Sequence, residues 1–301
     1  MGSELPEGSK VSLDAILEDN TSGSTTIIGA SSRLLSEMED MGALRRALLD
    51  ILSVHGSMAG LVNFADKILR AMDEGSDIRK ILEHEKEKRA SDLSKLVGNT
   101  AQKVLSASRI VTISNSSTII EVLTASHQRG AGKEVVISEA RPAMEGKMAA
   151  RKLALSGLKV TMVADGALPQ EVHYSDLVLV GADSVTEKGV VNKIGTLGLI
   201  STARDMGIPT LSAFTTDKMI GSGYNPFRRA LHPPEELMEP ERGIEVLNYY
   251  FDQTPLEMFT TLMTEKGEMD RMELISFIDE RDLHPDILSL LSAQPEGSRG
   301  L

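Results

Sequence analysis

RIVTISNSSTIIEVLTASHQRGAGKEVVIS (109–138) reads as a strand, a helix and a second strand. RIVTIS and EVVIS are short β-branched runs that read as strands. Between them Thr118–Gln128 carries apolar residues at helical spacing, and Gly130 follows where a glycine relaxes the left-handed cap. Strands separated by a helix of this length run parallel, so the stretch is a βαβ unit. The alternation continues down the chain. LKVTMV (158–163), DLVLVGAD (176–183), IPTLSAF (208–214) and IEVLNYY (244–250) read as further strands. Ala143–Ser156 and Leu197–Met206 read as helices, closed by Gly157 and Gly207. An open, doubly wound, mainly parallel sheet follows.

Upstream the period changes. Leu44, Leu48, Leu49, Ile51 and Leu52 recur at three- and four-residue spacing, as do Leu61, Val62, Phe64, Ala65, Ile68 and Leu69. A highly charged helix over 78–105 keeps Ile81, Leu82, Leu93, Leu96 and Val97 on one stripe, its charges forming a solvated face. The fold class is α/β, with an N-terminal helical domain over 1–103 and a doubly wound sheet domain over 104–301. No repeat of solenoid period occurs, and QPEGSRGL (294–301) reads as a frayed tail.

Composition removes several functions. With 32 basic and 44 acidic side chains the net charge is −12, which opposes nucleic acid as the main partner. Aromatic residues are 3% and tryptophan is absent, so a base-stacking platform is not expected. The lack of cysteine excludes disulfides, thiolate–zinc sites, iron–sulfur clusters and a thiol nucleophile. No run approaches the roughly 18 apolar residues of a membrane span, and MGSELPEGSK lacks a signal-peptide core. A soluble, cytoplasmic protein is expected. The six histidines form no metal-binding pattern, and neither G-x-x-x-x-G-K-[ST] nor a G-x-G-x-x-G after the first strand is present. G-x-S-x-G is also missing. No metal and no cofactor are expected.

Ligands of open parallel sheets bind beyond the carboxyl ends of the strands. After the first run, Ser114, Asn115, Ser116, Ser117 and Thr118 open a helix, either as an anion cradle or as a simple N-cap. After the second, Glu139 and Arg141 stand at a strand tip before Pro142, suited to a sugar hydroxyl and a phosphate or to a surface ion pair. Asp165, after the third, suits a hydroxyl or a helix cap. The fourth run ends at Asp183, where desolvation raises a carboxyl's pKa unless cations compensate. Asn192 and Lys193 follow nine and ten residues later, and Gly195 allows close backbone approach. Carboxylate, amide and ammonium at one sheet edge suit a phosphorylated polyol, or else a structural pair in a turn.

GADSVTEKGVVNKIGT (181–196), ISEARPAMEGKMAARKL (137–153) and FDQTPLEMFTTLMTEKG (251–267) resemble the motifs of the eukaryotic initiation factor 2B alpha/beta/delta family. That family also holds ribose-1,5-bisphosphate isomerase and methylthioribose-1-phosphate isomerase. The resemblance covers about residues 20–285. It implies a helical domain, a Rossmann-like domain that dimerises, and a sugar-phosphate pocket between them. It also implies that Asp183 matches the isomerases' proton-shuttling aspartate and that Asn192, Lys193, Glu139 and Arg141 match their binding residues. Ser114 stands where the isomerases carry the catalytic cysteine. Ser22-Gly23 replaces an arginine-glycine pair, and His55-Gly56 replaces a second arginine.

Isomerisation through an enediol or phosphoenolate needs an acid and a base of accessible pKa. A thiol near 8.5 is tunable into range, whereas a serine hydroxyl needs an adjacent base and no histidine flanks Ser114. These substitutions favour a homodimeric, initiation factor 2B alpha-like regulatory protein that binds a sugar phosphate or nucleoside monophosphate without turning it over, with translation initiation factors as partners. Gly23, Ser114, Asn115, Ser116, Glu139, Arg141, Asn192 and Lys193 are its expected binding residues. The alternative is a sugar-phosphate isomerase built on Asp183.

Overall fold

Five helices precede the first strand: α1 (Leu13–Leu17), α2 (Ser24–Ser36), α3 (Met41–His55), α4 (Ala59–Asp73) and α5 (Ile78–Lys103). They belong to a computed structural model that describes residues 12–19, 22–130, 132–221, 232–278 and 283–293. Ile27, Leu48, Ile51, Leu61 and Ile68 form the centre of this helical layer. Asp40 and Asp77 cap α3 and α5 by accepting from backbone N–H groups of the first turn. Ile78, Leu82, Leu96, Thr100 and Ala101 of α5 are buried, as is Glu85, which pairs with Lys67 at 2.9 Å, while most of its other charged residues are exposed or half-buried.

The remainder runs β1 (Arg109–Thr112), α6 (Ser117–Gln128), β2 (Glu134–Ser138), α7 (Gly146–Leu155), β3 (Lys159–Val163), α8 (Leu168–Glu171) and β4 (Leu177–Val180). Then come β5 (Ser184–Thr186), β6 (Gly189–Lys193), α9 (Thr196–Asp205), β7 (Thr210–Ala213), β8 (Phe251–Thr254), β9 (Thr261–Thr264), β10 (Gly267–Met269), α10 (Arg271–Phe277) and α11 (Pro285–Ala293). The main sheet has the order β10-β9-β7-β4-β1-β2-β3, parallel except for the β9–β10 edge. In register, Val111 pairs with Val136 on one side and Val178 on the other. Chain order reverses between β1 and β4, so the switch-point crevice opens between their carboxyl ends. All four residues of β4 are buried, which is what a central strand covered on both faces requires. A second, antiparallel sheet of β5, β6 and β8 lies beyond this edge.

Two sequence expectations are corrected. IEVLNYY (244–250) is not a strand: Ile244 and Leu247 are about half exposed, and β6 takes its partner one segment later, pairing Asn192 with Asp252 and Lys193 with Phe251. The helix expected over 143–156 begins at Gly146, because Glu139–Glu145 fold into turns that bring the helix start back onto β2. Leu283 and Ile287 of the C-terminal segment pack in the core of the first five helices. Arg45 of α3 clamps that segment, with Nε 2.6 Å from Asp286 and Nη1 2.9 Å from Asp73. The tail expected at 294–301 lies outside the described residues. Among the described residues no helix is long and apolar enough to cross a membrane.

Candidate functional site

A cavity of about 160 Å³ lies between the helical layer and the carboxyl ends of β1 and β4. Gly23, Ser24 and His55 line it from one side, and Ser114, Asn115, Ser116, Asp183, Asn192 and Lys193 from the other. Seven of the expected site residues thus converge. Glu139 and Arg141 do not: neither lines the cavity, and Arg141 is exposed. The loop carrying them is held by Asp165, whose two carboxylate oxygens accept from the backbone N–H of Ala140 and Arg141 at 2.8 Å each. Asp165 therefore serves a turn, not a ligand.

The same loop supplies a residue the sequence reading passed over. At Gly146 a Cβ would sit 1.9 Å from the carbonyl oxygen of Ser138, so only glycine lets α7 start against the end of β2. This contact delivers Glu145 into the cavity. Its Oε1 lies 2.8 Å from Lys193 Nζ, both side chains being less than one-tenth exposed. Ser114, held at a φ of 71°, donates its hydroxyl to the same Oε1 at 3.1 Å. Lys193 also stands 4.9 Å from the ring centre of Tyr250, on which His232 stacks at 3.6 Å. Asn192 donates to Thr196 Oγ1 at 3.1 Å, and Thr196 in turn donates to the Lys193 carbonyl at 2.6 Å. Lys193 and Asn192 are therefore oriented by internal partners before any ligand arrives.

Asp183 keeps a little of its surface open to the cavity while protein encloses it elsewhere. Burial raises its pKa above the ordinary aspartate value, and Glu145 adds to that rise. The charges of Lys218 and Lys193 oppose it. Lys218, in the turn after β7, donates to the Ala182 carbonyl at 2.6 Å and also lines the cavity. Asn63 of α4 fixes that turn by donating to the carbonyls of Asp217 and Met219. Inspecting the residues after the 208–214 run by the strand-end rule would have found Lys218.

The rest of the lining is polar and open. Helix α2 starts at Gly23 without a side-chain cap, so its first N–H groups face the cavity region with the positive end of the helix dipole. At α6, Ser116 caps its own helix by accepting from Ile119, as the simpler of the two expectations has it. Ser24 Oγ, Asn115 Oδ1 and Glu145 Oε2 are buried with no hydrogen-bond partner among the described residues. Such atoms are rare in folded proteins and suit a ligand's hydroxyls and phosphate oxygens. His55 Nε2 lies 2.7 Å from the Ile16 carbonyl, and burial lowers its pKa, so it presents a neutral ring rather than the cation of an arginine. Among the described residues no group of three His, Asp or Glu side chains could hold a metal ion.

The fold is a doubly wound sheet with a polar cavity at its switch point. The chain belongs to the initiation factor 2 subunit family, whose model matches residues 18–271. It is 33% identical to "Ribose 1,5-bisphosphate isomerase" of Pyrococcus furiosus over 60% of this chain, and the match spans only 58% of that relative's length. It is 32% identical to the "Putative translation initiation factor eIF-2B subunit 2-like" of the same organism, over 78% of this chain and 85% of that one. In fold it is similar to the translation initiation factor eIF-2B of Pyrococcus horikoshii, with a TM-score of 0.74 at 24% identity, covering 88% of this chain and 98% of that one.

Proposed function

We propose that the cavity binds a phosphorylated pentose and that the chain interconverts its aldose and ketose forms, with Asp183 as the proton-donating carboxyl. The observation that carries this reading is the enclosure of Asp183. Burial raises the pKa of Asp183, the direction a proton donor needs, and the residue shares its cavity with an ion-paired second carboxylate. The uncapped start of α2 and the unpartnered Ser24 and Asn115 oxygens supply contacts for phosphate and hydroxyls. The relative named as an isomerase supports turnover over the non-catalytic reading favoured by the sequence.

The second reading, an initiation factor 2B alpha-like ligand sensor, is supported by Ser114 at the cysteine position and by the relative named after that factor. One assay separates them. Incubation with ribose 1,5-bisphosphate, followed by phosphorus NMR, is expected to show conversion to the ketose, reduced about 10²–10⁴-fold by Asp183→Asn. Binding by calorimetry without conversion replaces the isomerase reading with the sensor. No binding of ribose phosphates or nucleoside monophosphates at millimolar concentration removes both.

A further inference from the structure

We infer that Glu145, and not Ser114, exchanges the carbon-bound proton of the sugar, opposite Asp183. This rests on the isomerase reading and names the group that reading lacks. A serine hydroxyl at ordinary acidity does not take a proton from carbon, and here its own proton is already given to Glu145 Oε1 at 3.1 Å. Lys193, at 2.8 Å, holds the same oxygen. Two ties on Oε1 fix the carboxylate plane and leave Oε2 buried without a partner among the described residues, on a side chain that lines the cavity. An oriented carboxylate with one unpartnered oxygen is the form a general base takes. The other basic groups of the lining fit less well. His55 faces the Ile16 carbonyl through Nε2, and His232 is stacked on Tyr250. Lys218 is bound to the Ala182 carbonyl.

For a furanose phosphorylated at C1 the steps balance without a co-reactant. Glu145 takes the proton from C2, and the C2–H electron pair becomes the C1=C2 bond. The C1–O4 bond breaks as Asp183 protonates O4. Asp183, now ionised, takes the proton of the C2 hydroxyl, whose electron pair forms the ketone. The C1=C2 pair captures the proton carried by Glu145, giving the C1 methylene. Both carboxyl groups end as they began.

The test follows turnover of ribose 1,5-bisphosphate in D2O, with deuterium at C1 of the product read by NMR and affinity read by calorimetry. Glu145→Gln is expected to keep affinity within about tenfold while losing kcat and C1 exchange by roughly 10³-fold or more. Ser114→Ala, which removes one tie on Oε1, is expected to lose roughly tenfold in kcat. Glu145→Asp keeps a carboxylate set back by one methylene and covers the case in which the glutamine variant does not fold. It is expected to lose kcat rather than KM. Turnover by Glu145→Gln or Glu145→Asp at the unaltered rate overturns the assignment, as does a larger loss in Ser114→Ala than in Glu145→Gln. A wild-type chain that binds but never turns over overturns the isomerase reading itself, and the role of Glu145 falls with it.

Discussion

Lys193 and Glu145 meet at 2.8 Å with side chains 5% and 7% exposed, so each charge depends on the other for the solvation it has lost. Replacing Lys193 by methionine leaves the Glu145 carboxylate uncompensated, beside Asp183 and at the end of a packed strand. The expected loss of stability is about 3–5 kcal/mol, measured by urea denaturation, and Lys193→Met/Glu145→Leu together should recover most of it. A single-variant loss below about 1 kcal/mol shows that water reaches the pair. Residue-scale chemistry was only partly legible beforehand. Asp183, Asn192 and Lys193 were readable because each sits at a strand end, where the chain leaves an apolar run. Glu145 was not, because its approach depends on the 1.9 Å exclusion at Gly146, a contact between α7 and β2 that no spacing encodes. Arg141 misled for the converse reason: a cation at a strand tip looks available, but the Asp165 clamp turns its loop outward.

The elements that carry the site are held by single polar residues at their ends. Helix α9 follows β6, and Gly195, at a φ of 99°, lets the chain turn into it. Asp252 of β8 caps this start, accepting from Gly195 N at 2.8 Å and Leu197 N at 3.1 Å. Burial pushes its pKa up to about 6, against the lowering effect of those backbone donors. In the unfolded chain the same carboxyl titrates near 3.8. Below that pH both states hold the proton. Between there and about 6 the unfolded chain releases it while the folded one retains it, so stability falls as pH rises and then levels off. The full change approaches about 3 kcal/mol. Asp252→Asn removes the titration, so wild-type stability relative to this variant is expected to fall between about pH 4 and 6 in denaturant titrations. A constant difference across that window would place the carboxyl in ordinary solvent. At this scale the parallel strands were readable because their runs are short and β-branched and alternate with helical segments. The run at 244–250 has the same composition, yet Ile244 and Leu247 face solvent, and the choice of β8 is made by its ladder with β6.

Across the whole molecule, the two layers cannot be treated as separate bodies. The cavity takes Gly23, Ser24 and His55 from the helices and Asp183 and Lys193 from the sheet, so its shape depends on how firmly the helical layer is assembled. Part of that firmness comes from the far end of the chain. His284 receives its backbone anchor from Asp66 at 2.7 Å and faces Asp73 through Nε2 at 2.8 Å, while Ile287 is fully buried among residues more than two hundred positions away. Nothing in the local period of 285–293 specifies that partner, which is why the sequence assigned this segment to the sheet domain by order alone. Truncating Ile287 to alanine removes three carbons from a packed interior that cannot fully close, and the expected cost is about 2–5 kcal/mol. Hydrogen exchange should locate that loss: amides of α3 and α4 are expected to exchange faster, while those of β1, β2 and β4 keep their protection, because the sheet core does not contain Ile287. Uniform acceleration through the sheet would mean that the helical layer and the sheet unfold as one cooperative unit. In that event, any substitution that loosens the α11 clasp acts directly on the floor of the cavity as well as on its helical wall.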